Sequence, residues 1–255
     1  MNYPHIRRPA LALLCAAAMQ HAHAAPPLRV AELDSINYPF VELDKSGKIS
    51  GGLLPALGDL IARELGTKAV HSVWSRRRIE QAVGRGDADI SCYSSPKWTD
   101  YSGPLQWTIA TLPQIERVVV LKGQPLPGTS SNDFAGKRIA TMLGYHYPSI
   151  QPLFDEKRAT RIDSTRVSNL FRLVEDKLAD ALISSEAEIE GHFARNPAAR
   201  ERFSVATTPF SVVDTQCYIS PSSPWPLADI NKALNTLLGN GEIERLARQY
   251  HMSMR

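Results

Sequence analysis

The chain has 255 residues, 43% of them hydrophobic and 22% charged, with a formal net charge of +3. That is the composition of an ordinary globular protein, long enough for one large domain or two small ones. It argues against a nucleic-acid binder, because the one basic run is Arg76-Arg77-Arg78 and acidic residues are interspersed throughout.

The first 24 residues differ from the rest. Arg7 and Arg8 precede a short apolar run from Ala10 to Met19, and Ala22-His23-Ala24 has the small-x-small form of a signal-peptidase site. The run is too short to span a bilayer, so the expectation is a cleaved signal peptide, with processing after Ala24 and export to the periplasm. Leu14 stands before Cys15 where a lipoprotein signal has a small residue, and Pro9 follows the arginine pair, which weakens a twin-arginine reading. Cleavage leaves two cysteines, Cys92 and Cys217. In an oxidising compartment two cysteines permit one bridge, and also permit two buried thiols; the sequence leaves both open. The scattered histidines form no metal-site spacing, and no cofactor motif is present.

After Pro26-Pro27, Leu28 to Ala31 reads as a strand. A turn-rich stretch with Tyr38-Pro39-Phe40 follows, and Asp44-Lys45-Ser46-Gly47-Lys48 reads as a hairpin tip. Apolar residues at 53, 54, 57, 60, 61 and 65 have helical spacing, ended by Gly66. Ala69 to Trp74 is a strand, Arg77 to Val83 a short helix, and Ala88 to Cys92 a strand. Residues 104 to 115 show no clear period, whereas Glu116 to Leu121 is strongly β-like. Lys122 to Ser131 is rich in Gly, Pro and Ser, the best boundary signal in the chain.

The pattern then restarts. Ile139 to Met142 reads as a strand, Tyr147 to Asp155 as a helix, and Thr165 to Leu178 as an amphipathic helix that Ser164 or Thr165 can cap. Strands are expected at Ala181 to Ile183, Phe203 to Val205 and Gln216 to Ile219. Two helices, Leu227 to Leu238 and Glu242 to Tyr250, close the chain around Gly239-Asn240-Gly241. Ala88-Asp89 and Ala179-Asp180 each follow a helix and open an apolar strand, an internal echo that suggests two units of related build.

In order and spacing these segments resemble the extracellular solute-binding proteins of family 3, the group centred on polar amino-acid binders. The resemblance rests on Tyr38-Pro39-Phe40, Gly51-Gly52 before a helix, Arg85-Gly86-Asp87-Ala88-Asp89, Tyr101-Ser102-Gly103-Pro104, Phe134 through Gly144, Leu178-Ala179-Asp180-Ala181, and Asn240-Gly241-Glu242-Ile243. It implies an α/β, two-lobed, type II periplasmic-binding-protein-like fold, each lobe a mixed sheet flanked by helices and joined by a two-strand hinge. The implied division is a signal peptide at 1–24, lobe 1 from 25 to 120, lobe 2 from 121 to 213, and a return strand with C-terminal helices at 214–255. The implied function is capture of a small polar, amino-acid-like or aromatic or organic-acid ligand by hinge closure, for an inner-membrane ABC permease or a membrane sensor, by a non-enzymatic monomer.

Two departures bear on the ligand. The arginine that usually grips an amino-acid carboxylate falls in Ser94-Ser95-Pro96-Lys97-Trp98, where Trp98 is the best match. The aspartate that usually receives the ammonium falls at Ser185, beside Glu186. The candidate ligand-binding residues are therefore Tyr38, Trp74, Arg76, Tyr93, Trp98, Tyr145, His146, Ser185 and Glu186. Lys97 and Arg76 are sources of positive charge. A lyase on the same fold, with Glu186 or Glu190 as an acid beside His146, is the competing reading.

Overall fold

The computed structural model describes residues 25–34 and 38–254; the expected leader and Cys15 lie outside them. The elements run β1 (Leu28–Leu33), β2 (Glu42–Leu43), β3 (Ile49–Gly51), α1 (Leu53–Glu64), β4 (Ala69–Trp74), α2 (Ile79–Arg85), β5 (Ile90–Ser94) and β6 (Gln106–Leu121). After a 3-10 turn at Ser131–Phe134 come β7 (Arg138–Met142), α3 (Gln151–Asp155), β8 (Thr160–Ser164), α4 (Val167–Glu175), β9 (Ala181–Ser185), α5 (Glu186–Arg195), α6 (Pro197–Arg200) and β10 (Phe203–Val205). The chain ends with β11 (Ser211–Ile219), α7 (Leu227–Gly239) and α8 (Glu242–Gln249).

One sheet runs through the molecule in the order β4-β1-β5-β11-β6-β9-β7-β8, with β10 paired to β6. Its outer strands pair in parallel, β1 with β4 and β7 with β8, as βαβ units require. The central β6 and β11 pair antiparallel along most of their length. Beyond them lie two sets of cores. On one side α1, α7 and α8 cover Leu28, Val30, Ile90 and Ile219, and α2 packs Ile79 and Val83 on Ala31 and Tyr218. On the other, Leu170, Phe171 and Phe193 cover Ala140 and Leu182, while Phe134, Tyr147 and Leu153 cover Ile139 and Ile183. The amphipathic spacing of α1 and α4 dictates these faces, since their buried residues are the periodic apolar ones.

The two halves repeat one ionic detail. Arg29 at the start of β1 donates its backbone N–H and its guanidinium to Asp89, at 2.8, 3.1 and 2.6 Å. Arg138 at the start of β7 does the same to Asp180, at 2.7, 3.3 and 2.7 Å. The Ala-Asp echo is thus a duplicated clasp between the first strand of a half and the loop entering its third. The partners differ in burial: the Asp89 side chain is fully buried and that of Asp180 is 37% exposed.

Several boundaries move. Helix α2 starts at Ile79, after a turn at Arg76–Arg78, and α3 starts at Gln151. Helix α4 spans Val167–Glu175 with Arg166 as N-cap, so neither Ser164 nor Thr165 caps it. The stretch from 104 to 115 that shows no period becomes the first part of the 16-residue β6. It pairs along one edge with β11 and then β10, while β9 joins the opposite edge at Glu116–Val119, and most of its residues are buried whichever face they take, so no alternation survives.

Candidate ligand-binding cleft

Strand β5 carries the first feature of the site. Between its pairings with β11 at Ser91 and Ser94 it holds one more residue than its partner, a β-bulge. Cys92 and Cys217 meet there in a disulfide. Tyr93, next in the bulge, has φ 63°, a left-handed conformation unusual for a bulky residue. The bulge turns Tyr93 onto Phe40, with ring centroids 4.4 Å apart. Phe40 is itself placed by Gly52, whose φ is 120° and where any Cβ would lie 2.4 Å from the Phe40 carbonyl oxygen.

Tyr93 lines a cavity of about 380 Å³ between the halves. Leu33, Arg76, Arg77, Trp98 and Gln114 complete one wall, and Met142, Leu143, Gly144, Tyr145, His146 and Thr165 the other. The second wall is the loop after β7. The Arg161 guanidinium fixes it by donating to the Met142 and Tyr145 carbonyls, at 3.3 and 3.0 Å, and the buried Tyr147 hydroxyl accepts from the Met142 N–H at 3.1 Å. Burial pushes the Tyr93 and Tyr145 phenols well above their ordinary range, so both remain hydrogen-bond donors at neutral pH. The Tyr93 hydroxyl is buried with no partner among the described residues.

A second cavity, of about 360 Å³, lies between Asp34, Tyr38, Val41, Glu42 and Leu43 on one half and Arg166, Val167, Ser168, Glu188, Gly191, His192, Arg195 and Asn196 on the other. Here the halves touch directly. The Arg195 guanidinium lies 3.7 Å over the Tyr38 ring and donates to Glu42 at 2.8 Å.

The predicted residues divide as follows. Arg76, Tyr93, Trp98, Tyr145 and His146 come together in the first cavity, and Tyr38 lines the second. Trp74 is elsewhere: its indole N–H donates to Ser72 Oγ at 2.7 Å, and it packs beside Ile79 and Tyr218. Lys97 is exposed and lines neither cavity. Ser185 is the N-cap of α5, its hydroxyl bonded to Glu188. Glu186 is held by Arg117 Nε at 2.5 Å, and Glu190 is paired with Arg200. Neither acid lines the cavity that holds His146, so the acid–histidine pair needed by the lyase reading is not assembled.

Two buried carboxyls on β6 and α5 escaped the sequence reading. Glu116, on β6, accepts from Ser211 Oγ and from Gln114 Nε2 at 3.2 Å, and burial pushes its carboxyl up to about 7. Glu188, in the first turn of α5, is 1% exposed, and burial raises it too. The Ser-x-x-Glu capping box at 185–188 was the available signal for Glu188. Nothing in the pattern of β6 singles out Glu116.

No protein-family model matches this chain, and no curated protein sequence does. Solved structures do. An ancestral arginine-binding protein bound to arginine superposes with a TM-score of 0.70 at 20% identity, over 89% of this chain and 99% of the other. The fold is that of amino-acid-binding proteins. An amino-acid ABC transporter substrate-binding protein from Streptococcus pneumoniae, bound to L-arginine, gives 0.66 at 21% identity over 88% and 94%. A histidine kinase sensor domain with similarity to periplasmic binding proteins gives 0.67 at 14% over 89% and 96%. The two-lobed α/β architecture expected from the sequence is the one found. Among the described residues no helix is long and apolar enough to cross a membrane, and no cluster of potential ligands could hold a metal ion.

Proposed function

We propose that the protein is a periplasmic solute-binding protein that captures a small organic acid or amino-acid-like molecule and passes it to an inner-membrane ABC importer. The observation that carries this reading is the first cavity, placed between two halves joined by β6 and β11. Its wall combines aromatic faces from Tyr93, Trp98 and Tyr145 with the guanidinium-bearing Arg76 and Arg77. A cavity of this make-up suits a flat or partly apolar body with one acidic group. The disulfide and the exported-type leader are consistent with an oxidising compartment. Closure of the halves removes the ligand from water, and the Tyr38–Arg195–Glu42 contact is the closed-state clasp on the far side.

A thermal-shift screen over aromatic acids, aliphatic organic acids and amino acids tests the reading. A true ligand at a hundred times its Kd adds about 2.7 kcal/mol of stability. Absence of any shift across all three classes refutes capture. The likeness to a histidine kinase sensor domain supports a second reading, delivery of the bound state to a membrane sensor. Pull-down of membrane extract with ligand-loaded protein separates the two by whether a permease or a kinase is recovered.

A further inference from the structure

The two strands that join the halves also carry a polar chain into the first cavity. Gln114 of β6 lines that cavity and is otherwise buried. Its Nε2 donates to Glu116 Oε1 at 3.2 Å, and Ser211 of β11 donates its hydroxyl to Glu116 Oε2. Gln114 and Glu116 are two residues apart, so they share one face of β6, and Glu116 stands opposite Ser211 in the β6–β11 pairing. The carboxyl is therefore bonded on one side to the joining strands and on the other to a residue of the cavity wall.

An amide has a donor end and an acceptor end, and the neighbour that takes one leaves the other for a ligand. An ionised Glu116 can only accept, so it holds the Gln114 NH2 and leaves the carbonyl. A protonated Glu116 can donate. With Ser211 on Oε2, the proton falls on Oε1, and Gln114 meets it by turning its carbonyl to Glu116 and its NH2 to the cavity. Burial pushes the Glu116 carboxyl up to about 7, so a modest change of pH moves it between the two states. The groups around it do not oppose this. Glu188 of α5 raises it further, and the phenols of Tyr93 and Tyr147, which feel its charge, are kept neutral by burial. Ser185 of β9, opposite it on the other edge, is uncharged. Arg117, next in β6, points to the opposite face and is paired with Glu186.

We propose that Glu116 is a positioning residue that makes capture of an acidic ligand proton-linked: protonated, it turns the Gln114 NH2 toward the ligand, and ionised, it turns the carbonyl there instead. This rests on the capture reading above and adds a regulation of the same cavity. The proton comes from water on binding and returns to it on release. A carboxylate ligand gains a donor in one state and meets an acceptor in the other, so its affinity is highest below about pH 7 and falls as the pH rises through that value.

The test is calorimetry of the mature protein with 3-phenylpropionate, an aromatic acid that is ionised at every pH used. The wild type should bind it at least tenfold more tightly at pH 6 than at pH 8.5, and at pH 7 it should take up a fraction of a proton, read from buffers of different ionisation enthalpy. Glu116→Gln, which does not titrate, and Gln114→Met, which keeps the acid and removes the amide, should each reduce the difference to less than about threefold. A dependence that survives in Glu116→Gln belongs to another group, such as His146 on the facing wall, and overturns the proposal. One that survives in Gln114→Met shows the carboxyl acting by charge alone and overturns the positioning role, and this arm decides alone if Glu116→Gln does not fold. No dependence in the wild type refutes the switch while leaving capture intact. So does failure of 3-phenylpropionate to bind when other compounds of the ligand screen do; if nothing in that screen binds, the capture reading falls with it.

Discussion

Raising the pH should destabilise this protein through Glu116. The carboxyl lies on β6 opposite Ser211 of β11 and Ser185 of β9, where three strands exclude water. Burial lifts it from an ordinary 4.5 to about 7. The folded state therefore holds this proton more tightly than the unfolded chain does. Its contribution is complete below about pH 4.5 and is lost as the pH rises through 7. A shift of this size corresponds to about 3 kcal/mol, of which about 2.5 kcal/mol disappears between pH 5 and pH 8. Glu188 acts with the same sign, so the wild-type curve alone does not isolate Glu116. The comparison is with Glu116→Gln, which stays neutral and keeps the shape. Urea unfolding at pH 5 and pH 8 should show the wild type losing about 2.5 kcal/mol more than the variant over that interval. Parallel losses in the two proteins would show that Glu116 is not a buried proton-binding group, and the packing of the central strands around it would have to be reconsidered.

Other expectations follow from single contacts. Replacing both Cys92 and Cys217 with Ala opens a crosslink spanning 125 residues, which chain entropy values at about 4–5 kcal/mol; because the bridge sits in the bulge that aims Tyr93, ligand affinity should fall as well, and a variant with unchanged unfolding midpoint and affinity contradicts both points. Asp89→Ala should cost about 3 kcal/mol, since it strips a buried acceptor from Arg29, and Asp180→Ala only about 1 kcal/mol, since its clasp is partly exposed; equal losses in chemical denaturation refute the burial argument. Trp98→Ala should abolish the ligand-induced thermal shift while leaving the unliganded melting temperature within about 2 °C, a surface-type effect, and retained affinity removes Trp98 from the site. Gly191→Val places a side chain where the Tyr38 ring lies 2.9 Å from a new Cβ; it should weaken ligand binding at least tenfold by holding the halves apart, and unaltered affinity would show that the Tyr38–Arg195 clasp is dispensable.

The helices α1, α4, α7 and α8 are legible because each has one face in a core and one in water, and strands β1, β4, β5, β7 and β9 because they are short apolar runs, two of them opened by the duplicated Ala-Asp step. Strands β8 and the first part of β6 were not. Alternation fades where both faces of a strand are covered, and Thr160–Ser164 is a short polar edge strand whose burial is only partial. The first cavity was half readable: Trp98, Tyr145 and His146 stand in loops after strand ends, where ligands gather, and the sequence order locates those ends. Leu33, Met142 and Leu143 look like ordinary core residues in one dimension, and Gln114 lies in the stretch of β6 that had no period. Glu186 is singled out in the sequence by its place next to the expected anchor position. Helix geometry decides otherwise: the first residue of α5 turns toward Arg117, and the third returns to the serines at its start. The disulfide depended on a bulge that brings β5 and β11 together, and spacing does not encode a bulge.

The central claim is that the two halves shut on a small molecule. Spin labels at Lys45, on the β2–β3 turn, and Arg172, on α4, are exposed positions on opposite sides of the second cavity. Their distance distribution, measured by pulsed electron resonance with and without the strongest ligand from the thermal-shift screen, tests that claim directly. The account predicts a broad distribution in the empty protein that collapses to a single shorter distance on binding. One narrow distance, unchanged by saturating ligand, would contradict it.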